Sequence, residues 1–120
     1  MREIKFRSWD KGAMRMTVYD FAADSVILSR LHVAMFADAI REPGFDLMQY
    51  TGLKDKNGKD IYEGDVVQGI HGKYPVAWND ERAAFEARII GFASIPSNQW
   101  KEVEIIGNIY ENPELLTDGK

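Results

Sequence analysis

The sequence predicts a mainly β fold: a small SH3-like or partly open β-barrel with one helix and a short C-terminal helical turn. Three observations lead there. Two turn signals, Asn57-Gly58 and Glu63-Gly64, lie so close together that strands, not helices, fit around them. Apolar and polar residues alternate through Met14, Met16 and Val18, and again through Phe85, Ala87 and Ile89. Only residues 24–41 carry helical spacing instead.

A chain of 120 residues fits a single domain, residues 1–120. Its 45% hydrophobic content supports one modest core. Cysteine is absent, so disulfides and thiolate metal sites are excluded. That composition agrees with a reducing compartment, and a cytoplasmic location is expected. No apolar run approaches bilayer length, and Met1 to Phe6 lacks a signal-peptide core, so no membrane contact is expected. The net charge of −4, with both signs interspersed, opposes a large phosphate-binding footprint.

Taken in order, Ile4, Phe6 and Trp9 lie at strand positions, Asp10-Lys11-Gly12 is a turn, and Met14 to Val18 returns. The result is a half-buried N-terminal hairpin. Trp9 reads as a core or rim aromatic, with an exposed stacking platform as the alternative. Residues 24–41 predict one helix starting between 25 and 30. Ile27, Leu31, Ala34, Met35 and Phe36 share its apolar face, Asp24 or Ser29 caps it, and Pro43-Gly44 ends it. A short strand at Val26-Ile27-Leu28 is the competing reading.

The central run from Leu47 to Val67 reads as a β-hairpin or compact corner: apolar to Leu53, polar from Lys54 to Asp60, then Ile61-Tyr62, a turn, and Asp65-Val66-Val67. Gly69, Gly72 and Pro75 mark a loop, Val76 to Trp78 a short strand, and Asn79-Asp80 a turn. Residues 84–92 read as a strand, with a helix over 80–90 as competitor because Glu81 to Arg88 has good helix propensity. Ser94 to Asn98 is a loop, 101–110 a strand with a bulge near Gly107, and Asn112-Pro113 opens a helical turn through Leu116. The last residues, 117–120, are expected to fray.

Catalytic and metal chemistry find little support. Asp55-x-Asn57 suggests a calcium loop, but Asp60 and Val66 stand where that pattern needs Gly and Glu. A loose surface site from Asp55, Asp60, Glu63 and Asp65 is the residual alternative to solvated turn carboxylates. On that reading Asp55→Asn changes little, and a chelator leaves the melting temperature unchanged. His32 and His71 belong to no nucleophile or zinc motif, and the serines lack a nucleophile-elbow context. No catalytic residue, metal or cofactor is therefore expected.

Three blocks nevertheless form a pattern: Arg2-Glu-Ile-Lys-Phe-Arg-Ser-Trp-Asp10, Leu47-Met-Gln-Tyr-Thr-Gly-Leu-Lys-Asp-Lys-Asn-Gly-Lys-Asp-Ile-Tyr-Glu-Gly-Asp-Val-Val67, and Val103-Glu-Ile-Ile-Gly-Asn-Ile-Tyr-Glu-Asn-Pro-Glu-Leu-Leu116. In composition and order they resemble the YopX-like proteins of phages and prophages. The signature positions are Gly52, Asn57, Gly58, Tyr62, Gly64, Asp65, Gly107 and Asn108. The resemblance implies a small, mainly β protein of uncharacterised molecular role and transfers no catalytic residue.

The signature reads as a folding element, with Gly58 and Gly64 at positive φ. The leading functional expectation is a non-enzymatic phage or prophage accessory protein acting through protein contacts. It would form a homo-oligomer or bind a phage or host protein. The alternative, less favoured, is a nucleic-acid-binding barrel using Lys73, Tyr74 and Trp78 as a charge and stacking platform.

Overall fold

The computed structural model describes residues 5–19, 26–69, 72–87 and 97–116. Among these residues the fold is mainly β: eight strands in two antiparallel sheets, one α-helix and two 3-10 helices. The chain divides into two compact units, Met1–Tyr50 and Thr51–Lys120.

In the first unit, β1 (Phe6–Asp10) lies between β2 (Arg15–Tyr19) and β3 (Phe45–Lys54). Phe6 faces Tyr19 on one side and Gln49 on the other. This central place explains why Arg7, Ser8 and Trp9 are all buried, on both faces, where simple alternation predicts a half-buried strand. Polar groups there find partners: Ser8 Oγ bonds Tyr19 Oη at 2.7 Å, and Arg7 Nε donates to Met48 Sδ at 3.3 Å. Trp9 is buried, so the core reading stands and the platform reading does not. The turn between β1 and β2 is held by Asp10 Oδ1, which accepts the N–H groups of Gly12 and Ala13. It closes with Met14 at φ 53°.

The helix α1 (Val26–Arg41) starts inside the predicted window and overrides the alternative strand at its first residues. Ser29 lies inside it and is not its cap; Asp24 lies outside the described residues. The packed face differs from the predicted one. Ala34 and Met35 are exposed, whereas Ala39 is buried. The half-buried Phe36 sets its ring 5.0 Å from Phe6 and 5.7 Å from Tyr19. Two aromatic contacts fix the helix rotation more strongly than the small or flexible side chains nearby. The side chains of Ile27 and Leu31 lie outside the description. The helix ends before the turn at Pro43-Gly44, as expected.

β3 runs on into the second unit, where β4 (Asp60–Tyr62) is its neighbour in the sheet. The predicted corner is therefore present, with a polar loop between β3 and β4 and a Glu63-Gly64 turn before β5 (Asp65–Gly69). The second sheet has the order β7-β6-β5-β8, with β6 (Gly72–Asn79), β7 (Ala84–Ala87) and β8 (Glu104–Asn108). This row has two ends, in keeping with a partly open form. Its core joins Ile61, Val67, Tyr74, Val76, Ala87, Trp100 and Val103.

Several sequence expectations are corrected here. Gly69 ends β5 and Gly72 begins β6, with residues 70 and 71 between them outside the described residues, and Pro75 is not in a loop. Gly69 pairs with Gly72, and Pro75 sits within β6 opposite Val66. The helical competitor fails over 80–87, which form a turn and a strand. Cross-strand pairing, including Trp78 against Phe85, outweighs the local helix propensity. Ser97 and Asn98 open a 3-10 helix, Ser97–Glu102, so neither a loop nor a strand covers those positions; residues 94–96 lie outside the described residues. The bulge is present: Val66 faces Gly107 and Val67 faces Ile105, leaving Ile106 as the extra residue. Pro113–Leu116 forms the predicted helical turn. Residues 117–120, expected to fray, lie outside the described residues.

Candidate functional site

Two sets of residues compete as the functional centre, and both lie in the second unit. The first is the polar signature. Asp55 is only 4% exposed. Its Oδ1 accepts the N–H groups of Asn57 at 2.8 Å and Lys59 at 2.9 Å, and its Oδ2 accepts that of Ile105 at 3.0 Å. Burial alone raises the carboxyl pKa. The backbone donors of Ile105, Lys59 and Asn57, with the charge of Lys59, overcome it and leave the pKa below its ordinary value. The neighbouring Lys56 N–H donates to Val103 O at 2.9 Å. Asp55 therefore ties the polar loop to the start of β8. It is not the solvated turn carboxylate that the sequence suggested, and the expectation that Asp55→Asn changes little falls with it.

Asp65 and Asn108 complete this set. Asp65 is buried, and its Oδ2 accepts the Tyr62 N–H at 2.8 Å across the Glu63-Gly64 turn. Gly64, at φ 90°, donates to Val76 O and accepts from Ile109 N–H, both peptide groups being engaged. Asn108 pairs with Asp65 in the sheet, and its Oδ1 accepts the N–H groups of Tyr110 and Glu111. Gly107 is tight: a Cβ there would stand 2.6 Å from Asn112 Oδ1 and 2.7 Å from Leu115 Cδ1. Gly52 and Gly58 both take positive φ, 89° and 81°. Tyr62 is buried, and the exposed Asn57 contributes its N–H to Asp55.

The structure thus brings the signature together as a brace of side chain to backbone bonds. The proposed loose metal site is taken apart by the same bonds. Asp55 and Asp65 are buried against peptide N–H groups, and Asp60 pairs with Lys54. Among the described residues no group of His, Asp or Glu has the arrangement of a metal site. His71 lies outside the described residues, and His32 falls in α1.

The second set is the predicted platform of Lys73, Tyr74 and Trp78, and it does not assemble. Tyr74 is buried in the core, with 8% of its surface exposed. Lys73 stands on β6 opposite Gln68, one residue out of phase with Tyr74 and Trp78, and so on the other face of the strand. Trp78 alone is open, at 45% exposure, and leans edge-on against Phe85 with ring centres 5.0 Å apart.

The β6–β7 hairpin also forms an open depression of about 560 Å³, whose strand residues Pro75, Ala77, Asn79 and Glu86 have the phase opposite to Trp78. Pro75, Ala77 and Trp78 supply its apolar part, and Asn79, Asp80, Glu81 and Glu86 its polar part. Asn79 builds the turn, accepting the N–H groups of Glu81 and Arg82 at its Oδ1, while its Nδ2 donates to Glu86 at 2.9 Å. Arg82 adds an ion pair to Glu86 at 3.5 Å. Ala83 closes the turn at φ 52°, the same solution that Asp10 and Met14 provide in the first unit. Sequence reasoning found Trp78 but missed its acidic surround. The run Asn79-Asp-Glu81, read as a turn, carried the signal.

Comparison with known proteins agrees with this fold. The family model described as YopX protein matches residues 5–117. The crystal structure of protein EF1440 from Enterococcus faecalis is similar, at 24% identity and a TM-score of 0.62, covering 97% of this chain and 99% of that one. A crystal structure of the protein yopX from Bacillus subtilis aligns at 18% identity and a TM-score of 0.47, covering 100% of both chains. No curated protein matches.

Proposed function

The chain belongs to the YopX protein family, and from that premise we propose that it is a non-enzymatic accessory protein of a phage or prophage. It works in the host cytoplasm by binding proteins, its own copies included. The observation that carries this reading is the exposure of Trp78 at the end of β6. A large aromatic is left 45% exposed at the end of the face that carries the buried Tyr74 and Val76, in a unit that buries its tyrosine and tryptophan at 74 and 100. Exposed tryptophan is enriched at contact surfaces. The nucleic-acid alternative is disfavoured by the same place. Tyr74 is withdrawn into the core, and Asp80 and Glu81 would repel phosphate.

A photo-crosslinking residue at position 78, in protein expressed during phage growth in the host, tests the proposal. Protein adducts are expected at position 78 and not at the exposed position 101. An adduct at twice the monomer mass identifies self-association, and sedimentation equilibrium then shows a species above the monomer. Crosslinks to nucleic acid alone, or equal adducts at both positions, overturn it.

A further inference from the structure

We propose that Asn57-Gly58 is a site of spontaneous deamidation, held in check by Asp55. The inference is independent of the contact reading above and rests on the loop between β3 and β4. Asn57 followed by Gly58 is the pair best suited to form a succinimide, because glycine puts no side chain beside the attacking nitrogen. In the reaction the Gly58 nitrogen gives up its proton to solvent and bonds to Asn57 Cγ. The Cγ–Nδ2 bond breaks, and the side-chain nitrogen leaves as ammonia. Water then opens the ring, at Cγ to give aspartate or at the main-chain carbonyl to give isoaspartate.

The access this chemistry requires is present. Asn57 and Gly58 are both exposed. The Asn57 side-chain amide has no hydrogen bond among the described residues. A Cβ placed on Gly58 would meet nothing within 4 Å, so no packed group stands over that residue.

What holds the reaction back is the backbone. Asp55 takes three successive peptide N–H groups: Asn57 at 2.8 Å and Lys59 at 2.9 Å on Oδ1, and Gly58 at 3.0 Å on its main-chain oxygen. The nucleophile's own proton is engaged, and the peptide groups on either side of it are pinned. Ring closure has to turn the Gly58 nitrogen towards Asn57 Cγ, which breaks this grip first. The rate then follows opening of the loop rather than the intrinsic chemistry. An isoaspartate adds a methylene to the main chain between the N–H groups of 57 and 58. The three donors then no longer fit Asp55, and the brace from Asp55 to Ile105 loosens with them.

The test incubates the full chain in mildly alkaline buffer. Digests are then read by mass spectrometry with electron-transfer fragmentation, which assigns the position and separates isoaspartate from aspartate. The folded chain is expected to deamidate at position 57 about tenfold more slowly than the same chain unfolded in urea. Asp55→Ala removes the two Oδ1 bonds and should raise the folded-state rate about fivefold. Val76→Ala empties part of the core, leaves the loop bonds in place and should keep the parent's rate. The variants are compared at a temperature where circular dichroism shows each folded. The comparison of the parent with its urea-unfolded form stands whether or not Asp55→Ala folds.

Equal rates in the folded and unfolded chain overturn the inference, as does an unmodified Asn57 in the unfolded chain. Equal acceleration by Asp55→Ala and Val76→Ala also overturns it, since the rate would then follow global stability.

Discussion

Replacing Asp55 by Asn removes one charge and changes one atom, yet it is expected to cost the fold about 3 kcal/mol. The carboxylate is 4% exposed and takes three peptide N–H groups, two on Oδ1 and one on Oδ2. An amide has one acceptor oxygen. If that oxygen keeps Asn57 and Lys59, the amide NH2 is turned towards the Ile105 N–H, donor against donor. One charge-assisted bond, worth roughly 1.5–3 kcal/mol, is lost, a buried donor is left unpaired, and the two remaining bonds weaken to neutral strength. For a chain of this length each 1 kcal/mol shifts Tm by about 4 °C, so a fall of about 12 °C is expected near neutral pH.

The pH dependence carries its own sign. The folded-state pKa lies below the unfolded one, so this stabilisation is complete above the unfolded pKa and disappears as pH falls through the folded one. The gap in Tm between the parent and Asp55→Asn should therefore narrow on acidification below about pH 4. Thermal melts of both proteins across that range decide the matter. An Asn variant that melts within 2 °C of the parent at neutral pH, or a gap that stays constant into acid, refutes the reasoning.

Two further substitution pairs probe the backbone. Gly64→Ala, at φ 90°, and Gly107→Ala, whose Cβ would meet Asn112 Oδ1 at 2.6 Å, are each expected to destabilise by about 1–3 kcal/mol in urea unfolding; a midpoint equal to the parent's would show that the local backbone relaxes freely. Met14→Gly and Ala83→Gly, at φ 53° and 52°, should instead raise stability by about 0.5 kcal/mol, strain relief outweighing the added freedom of the unfolded chain; a loss of stability in both would count against strain at these turns.

Much of the fold was legible because its signals are local. Asn57-Gly58 and Glu63-Gly64 announce turns by conformational need, and the helix announces itself by spacing. What misled the reading were features set by neighbours distant in sequence. Pro75 looks like a loop residue until β5 and β6 pair and set it opposite Val66. Residues 80–87 have helical composition, and only the register of Trp78 against Phe85 makes them a hairpin. Ala39 reaches the buried face because Phe36 locks onto Phe6 and Tyr19. At the candidate site, Trp78 could be singled out from the sequence. The burial of its neighbour Tyr74 could not, since strand parity assigns both to one face and only the extent of the core separates them.

The bond from Asp55 to Ile105 has a consequence for the order in which the protein is made. Its partners are separated by 50 positions, and Lys56 and Gly64 likewise wait for Val103 and Ile109. On a ribosome adding about 5–20 residues per second, the polar loop emerges seconds before the strand that completes it. During that interval Asp55 has the Asn57 and Lys59 N–H groups within reach and water in place of the third. Closing so long a span is entropically slow, so the central motif, though early in the chain and rich in turn signals, is finished late. A nascent chain halted before residue 105 carries the whole central run from Leu47 to Val67 and lacks the bond that locks it.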